Sequence, residues 1–122
     1  MATGLTVGAA GELLAELASK YTYIQLHDGD PGAAGTSNVA DESDRMQVTW
    51  DSPSDAQMVS ATDLEWTNVE ANETYTFFSA WDAATSGNCG FTGTVSANAV
   101  TAGDTFKIAA GGLFVSFSVA SD

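Results

Sequence analysis

Cysteine and histidine are almost absent from this chain, with one of each among 122 residues. The single cysteine, Cys89, excludes an internal disulfide, and no group of Cys and His has the spacing of metal ligands. No apolar run is long enough to cross a bilayer. Because the N-terminus also lacks the basic and apolar regions of a signal peptide, we expect a soluble chain that keeps its N-terminus.

Basic residues are also scarce. Three Lys and Arg stand against sixteen Asp and Glu, which gives a formal net charge of -13. A surface of this sign repels phosphate, so we expect no binding to nucleic acid and none to anionic membranes. A hydrophobic content of 44% nevertheless argues against disorder.

The acid excess has two interpretations. It can be a solubility device, because net charge keeps protein molecules apart in solution. It can also be an adaptation to high salt, in which concentrated cations screen the repulsion between carboxylates. A comparison of unfolding at low and at molar salt distinguishes the two.

The stretch 73–87 is predicted to form the central strand and the turn that ends it. Its large side chains fall on both faces of an extended chain, with Tyr75, Phe77 and Trp81 on one and Phe78 and Ala80 on the other. A strand that is apolar on both faces would leave one face bare at the edge of a small domain. We therefore place this strand in the middle of the sheet.

One short helix precedes the strands. Apolar residues recur at helical spacing over residues 6–20, and Thr6 is the predicted N-cap. Alternation predicts further strands at Tyr21–His27, Met46–Asp51, Ala56–Ser60, Leu64–Thr67, Cys89–Val95, Thr105–Ile108 and Leu113–Val119. Turns at hairpin spacing are predicted at Ala102-Gly103-Asp104 and at Gly111-Gly112.

Regularly spaced strands with little helix are typical of a β-sandwich or a small jelly roll. The chain is therefore predicted to be one domain, residues 1–122, that is mainly β with a short N-terminal helix. Residues 29–44 are rich in Gly, Ala, Ser, Asn and Asp. We expect a long surface loop there, either functional or mobile.

His27 beside Asp28 is the first candidate for catalysis, because a His with a nearby carboxylate can act as a general base. The pair needs a nucleophile or a water within reach, and no nucleophile motif such as G-x-S-x-G is present. The alternative is a His at a strand end whose ring packs on Tyr23 or bonds a turn. We assign no catalytic residue, and we interpret Cys89 as a buried thiol rather than a reactive one.

Carboxylates around the predicted loop could surround a hard cation such as calcium, which takes six to eight oxygen ligands. The candidate ligands are Asp28 and Asp30, with Asp41, Glu42 and Asp44 across the loop. Their spacing matches no EF-hand, since the third ligand and the closing Glu are missing. The alternative is ordinary turn capping in a solvated acidic loop. No other cofactor is predicted.

Most aromatic residues are interpreted as core. Trp50, Trp66 and Trp81 lie at alternating positions, where large rings fill a sandwich interior, and a sugar-stacking platform is the alternative. Phe114 is the exception, because it lies on the serine face of its strand. A ring there predicts an interface with another copy of the chain, or a helix packed over it.

Five stretches occur in an order that resembles a known family. They are Tyr23-Ile-Gln-Leu-His-Asp-Gly-Asp-Pro-Gly, Arg45-Met-Gln-Val-Thr-Trp, Phe78-Ser-Ala-Trp-Asp-Ala-Ala-Thr-Ser-Gly, Ala102-Gly-Asp-Thr-Phe and Leu113-Phe-Val-Ser-Phe. Together with the short helix they resemble small virion structural proteins of tailed viruses, often described as tail-fibre-like or minor structural proteins. The resemblance spans nearly the whole chain.

The resemblance implies a non-enzymatic accessory module on the virion exterior, assembled in the host cytoplasm as a homo-oligomer. Its partners would be itself and other capsid or tail proteins, and the alternative is an adhesin that binds a host-surface glycan. The chain is too short for a fibre shaft and a separate receptor-binding tip, which favours a head decoration or turret over a tail appendage. The acidity would fit a virus of a halophilic host.

Overall fold

The computed structural model of this protein describes residues 4–116, except for the side chains of residues 96–98 and 116. Within these residues, helix α1 (Val7–Lys20) is followed by the strands β1 (Tyr23–His27), β2 (Met46–Gln47), β3 (Gln57–Val59), β4 (Leu64–Trp66), β5 (Glu73–Trp81), β6 (Cys89–Val100), β7 (Phe106–Ile108) and β8 (Phe114–Ser116). The mainly β class with one short helix is confirmed. The predicted continuation of the last strand through Phe117 to Val119 lies outside the described residues.

Helix α1 begins where its sequence provides a cap, as predicted. The Thr6 hydroxyl accepts a hydrogen bond from the Ala9 N–H at 3.1 Å, which satisfies one of the free donors of the first turn. Ala10 and Leu14 are fully buried, so the helix packs on the domain through one stripe. In the described part of the chain, no helix has the length and apolarity to span a bilayer.

The main sheet is antiparallel and has the strand order β2-β1-β5-β6. β5 pairs with β1 on one side, where Phe78 lies opposite Leu26, and with β6 on the other, where Phe78 lies opposite Gly93. It is therefore an interior strand, as its apolar residues on both faces predict. Its last four residues are all buried.

A second layer packs on one face of the main sheet and consists of α1 and the strand pairs β3–β8 and β4–β7. Aromatic rings fill the space between the layers. The ring centroid of Phe106 lies 4.8 Å from that of Tyr75 and 5.8 Å from that of Trp66, and the Trp50 centroid lies 5.9 Å from that of Phe91. Face-to-face packing of this kind is that of a β-sandwich.

The face of β5 predicted for Tyr75 is wrong. Alternation places it with Phe77 and Trp81, whereas the structure packs it into the core with Phe78. The pairing of β5 with β6 has a register shift between Tyr75 and Phe77. An irregularity of this kind bends and twists the strands locally, so strict alternation does not hold across it.

The two predicted hairpins are wrong, although the chain does turn at residues 102–103 and 110–112. β7 pairs with β4, and β8 pairs with β3, so neither strand pairs with the strand that precedes it. These distant pairings place Leu64 opposite Ile108, both buried. The first turn thus carries the chain from the main sheet to the β4–β7 pair, and the second carries it from there to the β3–β8 pair.

The strand predicted at Met46–Asp51 is shorter in the structure, where pairing with β1 ends after Gln47. Val48 and Trp50 are nevertheless buried, as their alternation predicts. The ladder ends because the chain changes partner, and Trp50 bridges to Ser60 instead.

Candidate functional site

Residues 29–44 are here called the covering loop. The part around Gly35 and Ser37 lies over the outer face of the main sheet, the face opposite to the core, whereas Ala40 packs in the core. The outer face carries Gln25 and His27 of β1 and Ser79 and Trp81 of β5. All four are buried. Gly35 of the covering loop comes so close that a Cβ atom built on it would lie 2.5 Å from the Cys89 Sγ atom. The loop therefore shields polar side chains of the sheet from water.

His27 lies at the centre of a buried hydrogen-bond chain. Its Nε2 atom lies 2.7 Å from Ser79 Oγ, and its Nδ1 atom lies 2.9 Å from the carbonyl oxygen of Ser37 in the covering loop. The indole N–H of Trp81 donates to the same Ser79 Oγ at 2.7 Å. The chain thus joins β1, β5 and the covering loop.

The partners determine where the protons of this chain lie. A carbonyl oxygen only accepts, so His27 Nδ1 carries the proton that is donated to Ser37. Burial lowers the pKa of His27 and outweighs the loop carbonyls and Asp28, which raise it. The ring is therefore neutral at neutral pH, and Nε2 accepts the Ser79 hydroxyl proton. The Ser79 oxygen in turn accepts from Trp81, so every group in the chain is satisfied.

A serine next to a histidine is the arrangement of a nucleophile and its general base, but the surroundings give this pair a structural role. His27 and Ser79 are both 0% exposed, and the Ser79 oxygen is also held by Trp81. His27 bonds the covering loop, which agrees with the alternative of a His that bonds a turn.

The C-terminal part of the covering loop is held by Glu73, the first residue of β5. Its carboxylate oxygens accept the N–H groups of Asp41 and Glu42 at 2.9 and 3.0 Å, and bonds to an ionised acceptor are stronger than neutral ones. Just before these two residues, the Ala40 N–H donates to the carbonyl oxygen of Leu26 in β1 at 3.1 Å. The covering loop is therefore tied to the domain at several points rather than free.

The end of the covering loop near Glu73 is both acidic and buried. Glu42 is 3% exposed, and burial, followed by repulsion from Asp44, raises its pKa. The hydroxyl of Tyr75 is buried without a hydrogen-bond partner among the described residues, and burial, followed by the charge of Glu73, raises its pKa as well. Both shifts favour the uncharged form of the group.

Arg45 follows the covering loop and clamps the turn after β5. Its guanidinium carbon lies 4.1 Å from the ring centroid of Trp81. Its Nη1 atom donates to the carbonyl oxygens of Ala83 and Ser86 at 2.9 and 2.7 Å. One of three basic residues thus lies on an aromatic face and donates to two carbonyls, and a planar guanidinium with several N–H donors can make these contacts together.

Asp28 and Asp30, the candidate cation ligands, lie at the start of the covering loop. Asp28 is exposed, and Asp30 Oδ1 accepts the N–H of Gly32 at 2.9 Å, which is ordinary turn capping. Across the residues that the structure describes, no three His, Cys, Asp or Glu side chains are grouped as the ligands of a metal ion would be. The cation site stays a prediction, and a calcium titration by calorimetry tests it.

Cys89 lies beneath Gly35 of the covering loop and is half-buried. Burial raises the pKa of its thiol more than Arg45 and the nearby backbone lower it. A thiol with a raised pKa is a poor nucleophile at neutral pH, in line with its interpretation from the sequence.

Phe114 is 56% exposed, more than any other large hydrophobic side chain of the described residues. It lies on β8 opposite Val59, and its exposure shows that α1, the helix of residues 4–116, does not cover it. The interface predicted for it stays a prediction. The three Trp side chains are each at most 9% exposed, so none of them forms a surface platform.

The sequence reasoning missed Ser79 and Glu73, which anchor the covering loop, and Arg45, which clamps the turn after β5. Ser79 lies 52 positions from His27, and a serine in an apolar strand resembles a small filler. One signal was available, because a polar group in a strand buried on both faces needs a hydrogen-bond partner.

Comparison with known families identifies the class of the protein. A family model described as Podophage GP4 fiber I protein gp80 matches residues 15–116, which is most of the chain. The chain belongs to this fiber family. No curated protein matches it. As a member of a podophage fiber family it is a viral structural protein of the virion, which confirms the resemblance to tail-fibre-like proteins.

The part matched by the gp80 fiber family begins inside α1 and ends at the last residue of β8. It therefore includes the main sheet, the covering loop and both strand pairs of the second layer. The hydrogen-bond chain under the loop belongs to the family's domain and not to an extension of it.

Proposed function

We propose that this fiber-family protein is a non-enzymatic building block on the exterior of the virion, carried on the tail in several copies. The observation that carries the proposal is the fiber-family match over residues 15–116. A domain whose outer face is sealed by a tied loop suits a mechanical role, because the hydrogen-bond chain of His27, Ser79 and Trp81 beneath the loop is satisfied and holds one conformation.

A tail location replaces the head decoration that the length of the chain favoured. That preference assumed that one chain must contain both the shaft and the tip of a fibre. A fibre assembled from several different chains removes the assumption, and the family's description as a fiber supports the tail. A net charge of -13 supports an exterior position, because contact with packaged nucleic acid would be repulsive.

Self-association is part of the proposal, with Phe114 as one contact. An exposed aromatic ring on a small acidic domain is removed from water when copies meet through it. The partners are other copies of the chain and neighbouring tail proteins.

An adhesin that binds a host-surface glycan is the alternative. Aromatic stacking on sugars needs exposed rings, and the Trp side chains are buried in the core or under the covering loop. A glycan array with the purified protein tests this alternative, and saturable binding to one class of sugar would support it.

Separation of virion parts tests the location. Particles that contain this protein would be dissociated into heads and tails, and each fraction analysed by quantitative mass spectrometry. The proposal predicts that the chain is found with the tails at several copies per particle. Its recovery with tail-less heads would refute the tail assignment, and its absence from purified particles would refute the structural role.

A further inference from the structure

β6 has 12 residues, more than any other strand of the described part, and it lies at one end of the main sheet. Its inner edge pairs with β5. Within residues 4–116, no strand and no isolated bridge involves its outer edge. None of the described strands therefore uses the backbone N–H and C=O groups along this edge, which is the arrangement that pairs with a further strand.

The sequence of β6 lacks the side chains that usually keep a sheet edge from pairing. Edges are protected by charged residues, by proline, by bulges or by being short. Residues 83–103 contain no charged residue and no proline. Two register shifts occur in the pairing with β5, but between them the four pairs from Phe77–Thr94 to Ala80–Phe91 are consecutive. The segment 91–94 thus presents a regular edge.

On both faces of the sheet, the side chains of β6 are accessible to a strand that is added beside its outer edge. Thr92 and Thr94 are exposed on the outer-face side. Phe91 and Val95 pack against the core, yet they are only half-buried. An added strand would cover the open flank of both, and it would remove apolar surface from water.

We propose that the outer edge of β6 pairs antiparallel with β6 of a second copy, centred on Gly93. In this register, Thr92 of one protomer lies opposite Thr94 of its partner, and Phe91 lies opposite Val95 of its partner. Thr–Thr and aromatic–β-branched pairs are favourable across antiparallel strands. The edge is self-complementary, as a two-fold contact requires, and the two main sheets become one continuous sheet.

The charge of the protein points to a second copy as the occupant of this edge. Two copies with a net charge of -13 each repel one another, and the repulsion is least where neither surface is charged. The uncharged stretch 83–103 provides such a surface. A basic partner would instead be attracted to the acidic parts of the surface and would gain nothing from an uncharged edge.

Register-specific cross-linking tests the pairing. Two single variants are made in the Cys89→Ser background, Thr92→Cys and Thr94→Cys, and are mixed under mild oxidation. Directly opposite residues of antiparallel strands have Cα atoms about 4.5–5.5 Å apart, a separation that a disulfide spans. We expect a disulfide-linked dimer in the mixture and much less with either variant alone. Cross-linking no greater than that of a Thr105→Cys control overturns the proposal.

Sedimentation of the full chain gives a second readout. We expect a concentration-dependent dimer at about 1–100 µM. Thr94→Glu weakens it at least about tenfold, because each new carboxylate lies opposite the uncharged Thr92 of the partner and diagonally across the two-fold axis from the second carboxylate. Thr105→Glu adds the same charge at an exposed site away from β6 and leaves the dimer intact. A monomer throughout, at both about 0.15 M and about 1 M salt, overturns the proposal. So does a dimer that is disrupted by Phe114→Ser but not by Thr94→Glu.

This inference rests on the proposed function only for the expectation that several copies are present together. It is tested on purified protein, so a failed cross-link leaves the tail location intact. Recovery of the chain with heads would leave the β6 contact intact.

Discussion

The side chain of His27 joins two strands of the main sheet to the covering loop. Its replacement by Ala removes the acceptor of the Ser79 hydroxyl proton and the donor to the Ser37 carbonyl, and it opens a cavity. We expect His27→Ala to lower the free energy of unfolding by about 2–4 kcal/mol. Denaturant unfolding measures the change.

The matched control for His27 is its neighbour Asp28, which is exposed. Asp28→Asn removes a charge close to the ring and no buried contact, so we expect little change in stability. Equal stability of His27→Ala and Asp28→Asn would contradict the anchoring role of the histidine.

The protonation of His27 predicts a dependence of stability on pH. Burial holds its folded-state pKa below the ordinary value of 6.5, so the unfolded chain binds the proton more readily. The stability that His27 contributes is therefore complete above about pH 6.5 and is lost as the pH falls through the folded-state pKa. We expect the stability difference between wild type and His27→Gln to shrink from about pH 7 to about pH 5.

The difference in stability between wild type and His27→Gln contains the contribution of His27 and not that of other buried titratable groups. Glu42 has a raised pKa, so its contribution has the opposite sign and is lost as the pH rises, but it is present in both proteins and cancels. A stability difference that stays constant or grows toward pH 5 would show that the folded protein accepts the proton on His27 readily.

At the residue scale, the sequence indicated the chemistry of His27 but not its partner. A lone histidine at a strand end suggested a turn contact, and the structure supplies Ser37. Ser79 could not be inferred, because the cross-strand register that brings β5 next to β1 depends on the pairing of the whole sheet.

At the scale of elements, Glu73 determines how firmly the covering loop is held. Glu73→Ala removes the acceptor of the Asp41 and Glu42 N–H groups. We expect these two amides to exchange with solvent at least about tenfold faster, because a bond to a charged acceptor contributes about 1.5–3 kcal/mol. Hydrogen exchange followed by mass spectrometry or NMR measures the rates.

Glu65→Ala serves as the control for this experiment. Glu65 is exposed on β4, so its substitution removes the same charge without removing a contact to the loop. Protection of the loop amides should be unchanged in it. If Glu73→Ala and Glu65→Ala gave the same exchange rates at residues 41–42, the carboxylate of Glu73 would not be the anchor.

Arg45 is predicted to hold the turn after β5 through the geometry of its guanidinium. Arg45→Lys keeps the charge but loses the planar group that both lies on Trp81 and reaches Ala83 and Ser86. We expect a loss of about 1–2 kcal/mol in the free energy of unfolding. Lys107→Arg, at an exposed ion pair with Asp63, is the control and should change little. Equal effects of the two substitutions would argue against the clamp.

The sequence predicted where the covering loop lies but not that it is tied down. Its composition of small and polar residues is that of any surface segment. The anchors Glu73 and Ser79 come from a strand far along the chain, and nothing in the spacing of the loop itself reports them.

At the scale of the whole molecule, the net charge of -13 predicts that salt stabilises the fold. The Debye length falls from about 10 Å at 0.1 M to about 3 Å at 1 M, which screens repulsion between surface carboxylates. We expect the thermal midpoint to rise over this range in potassium chloride. A variant with Asp51→Asn and Asp55→Asn, both at exposed positions, should respond less.

Equal midpoints at low and molar salt would contradict this prediction and would also remove the interpretation as an adaptation to high salt. The solubility interpretation would then remain. A salt other than sulfate is needed, because sulfate also strengthens the burial of apolar surface.

The fold class could be predicted because helical and alternating patterns report burial directly, and β5 was placed in the interior on that ground. The pairing of strands could not. Turns at 102–103 and 110–112 resemble hairpin turns, and only the burial of Ile108 against Leu64 decides that β7 returns to β4. The identity as a fiber protein came from family-level likeness, since no single side chain marks a virion protein.

The most direct test of the central claim is a cryo-electron microscopy reconstruction of the intact virion at a resolution that separates strands. We predict several copies of the two-layer domain on the tail, each with the covering loop closed over the outer face of its main sheet. Copies located only on the head, or a tail without density for this domain, would contradict the assignment.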